Sequence, residues 1–260
     1  VIKVSFINYR GAIKEMKQKL KDTNKKSRAG FSLIEALLSL FLFFIITFAS
    51  LEFFLSLKAH FFKIKEDEEM RLAAFVALDK MRIDFLEGGL GLLEPLKLGI
   101  FRAIYSNNEV ITIRSKQDEL ILLSDALQGE TRLSLKPPKD ISKGREICIF
   151  NPFRGEVKNI STFDKESITL NSPLQSSYLK ENSTVILIKQ IFLSLEEKTG
   201  ILRRKVNTSS AQPLLEDIEI FESDYEEKKN LVKIRLILKP QKEKEYEALI
   251  FPKNLALISF

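Results

Sequence analysis

Chemistry in this chain falls to carboxylates and cations, because the other usual reagents are scarce. His60 is the only histidine and Cys148 the only cysteine. Ser/His/Asp and Cys/His catalysis, multi-histidine or thiolate metal sites and an intramolecular disulfide framework therefore lack raw material. Two carboxylates stand out by their surroundings. Glu35 and Glu52 are the sole charges between Phe31 and Leu57, and a charge inside such an apolar run costs about 2.5 to 3.5 kcal/mol on insertion scales. Glu35 thus needs a partner, whereas Glu52 and His60 read as groups near the outer headgroups. Glu222, Asp224, Glu226 and Glu227 could offer oxygens to calcium, but the fixed spacing of a strong loop site is missing, and they read as a solvated turn. Lys136, Lys139, Lys143 and Arg145 flank two prolines and read as an exposed loop. No spacing marks a carboxylate pair for glycoside hydrolysis. The expectation is a non-enzyme with no catalytic residue, metal site or cofactor.

The charge is divided. Nine Lys and Arg precede Phe31 against only Glu15 and Asp22, a charge of +7, while the formal total is +6. The remainder is then slightly negative, so the pI near 9.2 describes the leader, and a nucleic-acid partner is not indicated. With Met16 as an alternative start, the leader shortens to fifteen residues. From Ala36 to Leu51 sixteen residues carry no charge. About 20 apolar residues span the hydrocarbon core of a bilayer, which makes 31–57 a transmembrane helix. The excess of Lys and Arg before it puts the leader in the cytoplasm and everything after Lys58 outside. The run exceeds the apolar region of an ordinary secretory signal and has no small-x-small site at its end.

The run Gly30, Phe31, Ser32, Leu33, Ile34, Glu35, preceded by Lys25, Lys26 and Arg28, resembles the class III signal of type IV pilins and type II secretion pseudopilins. The resemblance implies cleavage between Gly30 and Phe31 by prepilin peptidase, with Lys25, Lys26 and Arg28 serving leader recognition. Phe31 becomes the N-methylated first residue and Glu35 the fifth, paired with the amine of a neighbouring subunit. A residue without a β-carbon at position 30 also lets an extended scissile strand enter a narrow active site. Other pilins or pseudopilins, an inner-membrane assembly platform and membrane lipid are the implied partners. The implied location is the bacterial cytoplasmic (inner) membrane, then a pilus or pseudopilus. The stretch from Ala77 to Gly91 is similar to the helix end of PilW-type minor pilins and J-type pseudopilins. The competing reading is a single-pass membrane-anchored extracytoplasmic adhesin or enzyme whose signal anchor stays uncleaved.

Neither Gly nor Pro interrupts Phe31 to Glu87, so one helix of about 85 Å is expected. Beyond a charged collar, Met70, Ala74, Leu78, Met81 and Phe85 recur at three-to-four spacing and form a face that must pack. Gly88, Gly89 and Gly91 stop the helix. A phosphate-cradling loop is not expected there, since it needs a strand before it. From Gly99 onward β-prone runs alternate with turn signals, 109–115 and 119–124 among them as separate runs, predicting about ten to twelve mainly antiparallel strands. Val232, Ile234, Leu236 and Leu238 alternate with polar neighbours, which implies one wet face, and 239–245 reads as an exposed hairpin. The expected class is α+β: a leader at 1–30, a long helix over 31–87, transmembrane then amphipathic, and a β-rich domain over 88–260.

Overall fold

The computed structural model describes residues 14–19, 32–107, 110–138, 141–239 and 244–258. Lys25, Lys26, Arg28, Gly30, Phe31 and Lys139 lie outside the described residues. The chain divides into two compact units, Val1–Asp67 and Glu68–Phe260.

Helix α1 (Leu33–Glu87, 55 residues) begins in the first unit and ends in the second. Its start is written locally. Ser32 Oγ accepts from Ile34 N–H at 3.3 Å, and the Glu35 carboxylate accepts from Ser32 N–H at 3.0 Å. This is a capping box, in which residues three apart satisfy backbone groups that the first turn leaves open. Every residue from Ser32 to Glu66 is exposed. Within the second unit the predicted face is buried: Ala74, Leu78, Met81 and Phe85 enter the core, joined by Ala77, and Met70 packs at its edge.

Helix α1 stops at Glu87, followed by Gly89 and Gly91 at φ 77° and 70°. Gly89 is needed twice over. Its φ suits glycine, and a Cβ there would overlap Leu255 Cδ2. A short helix, α2 (Leu93–Lys97), follows.

Among the described residues twelve strands follow: β1 (Ile104–Asn107), β2 (Val110–Leu120), β3 (Arg132–Ser134), β4 (Glu146–Asn151), β5 (Arg154–Phe163), β6 (Ser167–Leu170), β7 (Thr184–Glu196), β8 (Ile201–Val206), β9 (Gln212–Leu215), β10 (Ile218–Glu226), β11 (Leu231–Leu238) and β12 (Glu245–Ile250). One nine-stranded sheet runs β1-β2-β7-β4-β5-β6-β3, with β8 joined to β7 and β9 to β8; a second sheet is β10-β11-β12. The recorded ladders are antiparallel. A long N-terminal apolar helix packed on a mostly antiparallel β domain is therefore the observed fold.

Strand β7 organises the large sheet. Val185 to Ile188 are buried in succession, which marks a segment covered on both faces and explains its unbroken apolar run. Ile186, Ile191 and Leu193 join the core under α1, while Val185 and Leu187 join a second core around Leu133, Ile147, Ile160, Ile168 and Tyr178. Burial of each large aliphatic contributes about 1.5 to 3 kcal/mol.

Three sequence expectations change. The runs around Ile111 and Ile121 read as separate strands, yet β2 continues through Leu120, with a bulge against β7 between Lys116 and Asp118. The extra residue, Gln117, turns its side chain to accept from Arg145 Nη2 at 2.6 Å. Arg145 is accordingly not part of an exposed basic loop: it is 3% exposed and also donates to Ile188 O at 2.9 Å. Glu222, Asp224 and Glu226 belong to β10 rather than a turn, because alternate residues of a strand share a face. Opposite them on β11 stand Arg235, Lys233 and Leu231.

Candidate functional site

Glu35 sits at the first turn of α1, and the partner the structure gives it is local, the Ser32 amide. An N-terminal carboxylate also meets the positive end of the helix dipole. Further along, Thr47 Oγ1 donates to Phe43 O at 2.7 Å, which satisfies the hydroxyl within the apolar run. α1 is long and apolar enough to cross a membrane, with none of its most apolar window buried.

The β domain carries a polar groove of about 870 Å³ at the β3–β6 end of the large sheet. Its walls are the loop 124–131, strand β3 and the turn 164–167. β3 pairs with β6 through Arg132↔Thr169, Leu133↔Ile168 and Ser134↔Ser167. Leu133 and Ile168 are both fully buried, so the alternate residues Arg132 and Ser134 stay on the groove side.

Arg132 holds the groove together. Its Nη2 donates to Asp164 Oδ2 at 3.2 Å and its Nε to Ser167 Oγ at 3.0 Å. The long loop is pinned from behind: Asp125 Oδ1 accepts from Lys180 N–H at 2.8 Å and Glu130 Oε2 from Leu127 N–H at 2.9 Å. Gly129 takes φ 87° and donates to Leu174 O at 2.9 Å. Three of the four groove carboxylates are thus acceptors that build the loops. Glu166 and Lys165 add charge, and Ser124, Thr131 and Ser134 add hydroxyls.

A buried ion pair supports the neighbouring loop. Lys158 Nζ lies 2.9 Å from Glu156 Oε2, both side chains being more than 90% buried. The same carboxylate accepts from Gln175 N–H at 3.0 Å and Ser176 N–H at 3.3 Å. Charges of this kind are tolerated inside because their remaining lone pairs and protons are used. Burial, with Glu156 adding to it, pushes the Tyr178 phenol well above its ordinary range.

Sequence reasoning does not find this groove. Its residues are spread over 124–167 in short polar loops, and no motif joins them. The sole signal along the chain is a string of turn-forming residues such as Gln128-Gly129.

Comparison with known proteins corrects the family expectation. No family model and no curated protein matches the chain. Matching solved structures are phage tailspikes. The tailspike of Acinetobacter baumannii bacteriophage AP22, in complex with A. baumannii capsular saccharide, matches at 15% identity and TM-score 0.26 over 30% of this chain. Those of Pseudomonas phages LKA1 and phi297 match at 19% and 16% identity, TM-scores 0.23 and 0.25, over 26% and 28% of this chain. The chain spans 14–15% of the length of these three structures. None is a pilin or pseudopilin, and the pilus and secretion-fibre reading is set aside. A physical reason accompanies the correction: Ser32 and Glu35 ahead of an apolar run form a general helix-start device. The blanket expectation of a non-enzyme falls on the same matches, and carboxylate chemistry in any case requires neither histidine nor cysteine. At these TM-scores the likeness is confined to a fraction of the chain, and function rests on the residues themselves.

Proposed function

We propose that this chain is a single-pass, membrane-anchored extracytoplasmic binding protein of the adhesin class. Its leader stays in the cytoplasm, 31–57 remain as an uncleaved anchor, and the β domain presents the polar groove outside. The observation that carries this reading is the apolar part of α1. A helix with every side chain from Ser32 to Glu66 exposed, and no charge from Ala36 to Leu51, presents a surface that the hydrocarbon of a bilayer removes from water. The +7 leader sets the orientation by the excess of cations on its cytoplasmic side. Asp125, Glu130 and Asp164 accept from Lys180 N–H, Leu127 N–H and Arg132, which fixes the loops around the groove as a surface able to hold a ligand.

The test is protease treatment of intact spheroplasts expressing the full chain, followed by mass spectrometry of the membrane-retained fragment. The expected fragment keeps the leader and the span, while the β domain is accessible from outside. A mature chain beginning at an N-methylated Phe31, or a β domain reached only after lysis, overturns the reading.

A further inference from the structure

We propose that a second, apolar groove on the β domain docks a basic amphipathic helix from a partner protein. This groove, of about 410 Å³, lies between residues 69–73 of α1 and strand β9. Its floor is Leu215 and Leu238, at 7% and 1% exposure. Met70 and Ala73 form the α1 wall and Leu214 the opposite one. The space is thus lined by the side chains that accept an inserted Leu- or Phe-sized anchor.

Charge selects the occupant. The polar residues on the rim are Glu69, Glu216 and Asp217, and no lining residue is a cation. Glu216 and Asp217 are exposed. Glu216 and Asp217, adjacent like charges beside the apolar floor, repel one another, and cations flanking an apolar anchor relieve that repulsion.

The walls select its form. Among the described residues β9 is an edge strand paired only with β8, so an added strand is the first alternative. However, β9 has four residues and Pro213 lies within it, without an N–H to offer. Backbone pairing is therefore poor, and anchoring by side chains at helical spacing along the α1 wall is the mode that remains.

The full chain in phosphatidylcholine nanodiscs is titrated into two fluorescent eighteen-residue probe peptides of identical apolar pattern, one with Lys and the other with Glu on the polar face, with empty nanodiscs as the blank. The Lys peptide binds and the Glu peptide does not. Glu216→Lys with Asp217→Lys weakens the Lys peptide about tenfold or more and admits the Glu peptide. Leu214→Lys, which fills the groove with a cation, weakens the Lys peptide as well. The control Glu181→Lys with Asp118→Lys, at exposed residues that do not line the groove, leaves the Lys peptide unchanged. Unchanged thermal melting of each variant certifies folding. Equal loss in the control, equal binding of the two peptides, or no binding of the Lys peptide overturns the proposal. None of these outcomes bears on the membrane topology.

Discussion

The end of α1 is locked to the large sheet by a charge pair whose removal should be costly. Asp84 accepts from Arg204 Nε at 2.5 Å and from Nη2 at 2.8 Å, a two-point contact between residues 120 apart in sequence. The Asp84 side chain is 2% exposed and that of Arg204 18%. The Asp84 hydrogen bond, opposed by partial burial, holds the guanidinium above its usual pKa. Asp84→Ala removes the partner and leaves a mostly buried cation, for which losses of about 3 to 5 kcal/mol are typical. Because Arg204 keeps some contact with water, the lower end applies, about 3 kcal/mol, or roughly 6 to 12 °C in Tm for a unit of this size. The assay is urea unfolding of the full chain in micelles, followed by the near-ultraviolet tyrosine signal. Asp84→Leu with Arg204→Met deletes both charges and should recover to within about 1 kcal/mol of the parent. By contrast Lys189→Met breaks the Lys189–Glu87 pair, 29% and 38% exposed, and should cost about 1 kcal/mol or less. A loss below about 1 kcal/mol for Asp84→Ala, or a double variant as unstable as the single one, refutes the reasoning.

Burial raises the Cys148 thiol from 9.0 to about 12, with Arg114 pulling partly the other way. Native protein at pH 8 should therefore resist maleimide, and urea-unfolded protein should react fully; rapid native labelling contradicts the buried site. The linkage has a definite sign: a folded pKa above the unfolded one means stability present below pH 9 and lost as pH rises toward about 12. An alkaline unfolding midpoint that moves upward in Cys148→Ala, despite the small cavity, is the corresponding readout. Glu35→Ala should fray the start of α1 by about 1 kcal/mol while Glu35→Gln keeps the acceptor; hydrogen exchange at the Ser32 amide measures this, and equal protection in both variants removes the cap role. Gly155→Ala drives a Cβ into Ile100 Cδ1 and to 2.5 Å from Phe150 Cβ, so it should destabilise by about 1 to 3 kcal/mol in the same urea assay. A neutral result there means that the β4–β5 hairpin gives way easily.

Local features are legible in the amino-acid sequence. The uncharged run after Glu35, the uninterrupted helix and its glycine stop depend on residues within a few positions of one another, and α1 ends at Glu87 as expected. Alternation along β11 identifies its buried face correctly: Val232, Ile234, Leu236 and Leu238 are all in the core. The capping box is also present in Ser32 and Glu35, yet the family resemblance draws attention to a distant partner instead. What fails is anything that depends on a neighbour far along the chain. Arg145 looks like a loop cation because its acceptors, Gln117 and Ile188, are 28 and 43 residues away.

By itself, then, the sequence determined where a helix long and apolar enough to cross a membrane lies, which side of it is cationic, and that a β-rich body follows. Short-range periodicity and charge are enough for that, since a helix forms its backbone bonds four residues apart and a bilayer responds to local composition. Tertiary structure alone decided the strand order, because pairings such as β2 with β7 close loops of many residues and are chosen by packing. It also decided that Asp84 and Arg204 are buried together, and that carboxylates from 125 to 166 share one groove. Those charges become costly or useful only when folding removes water from around them.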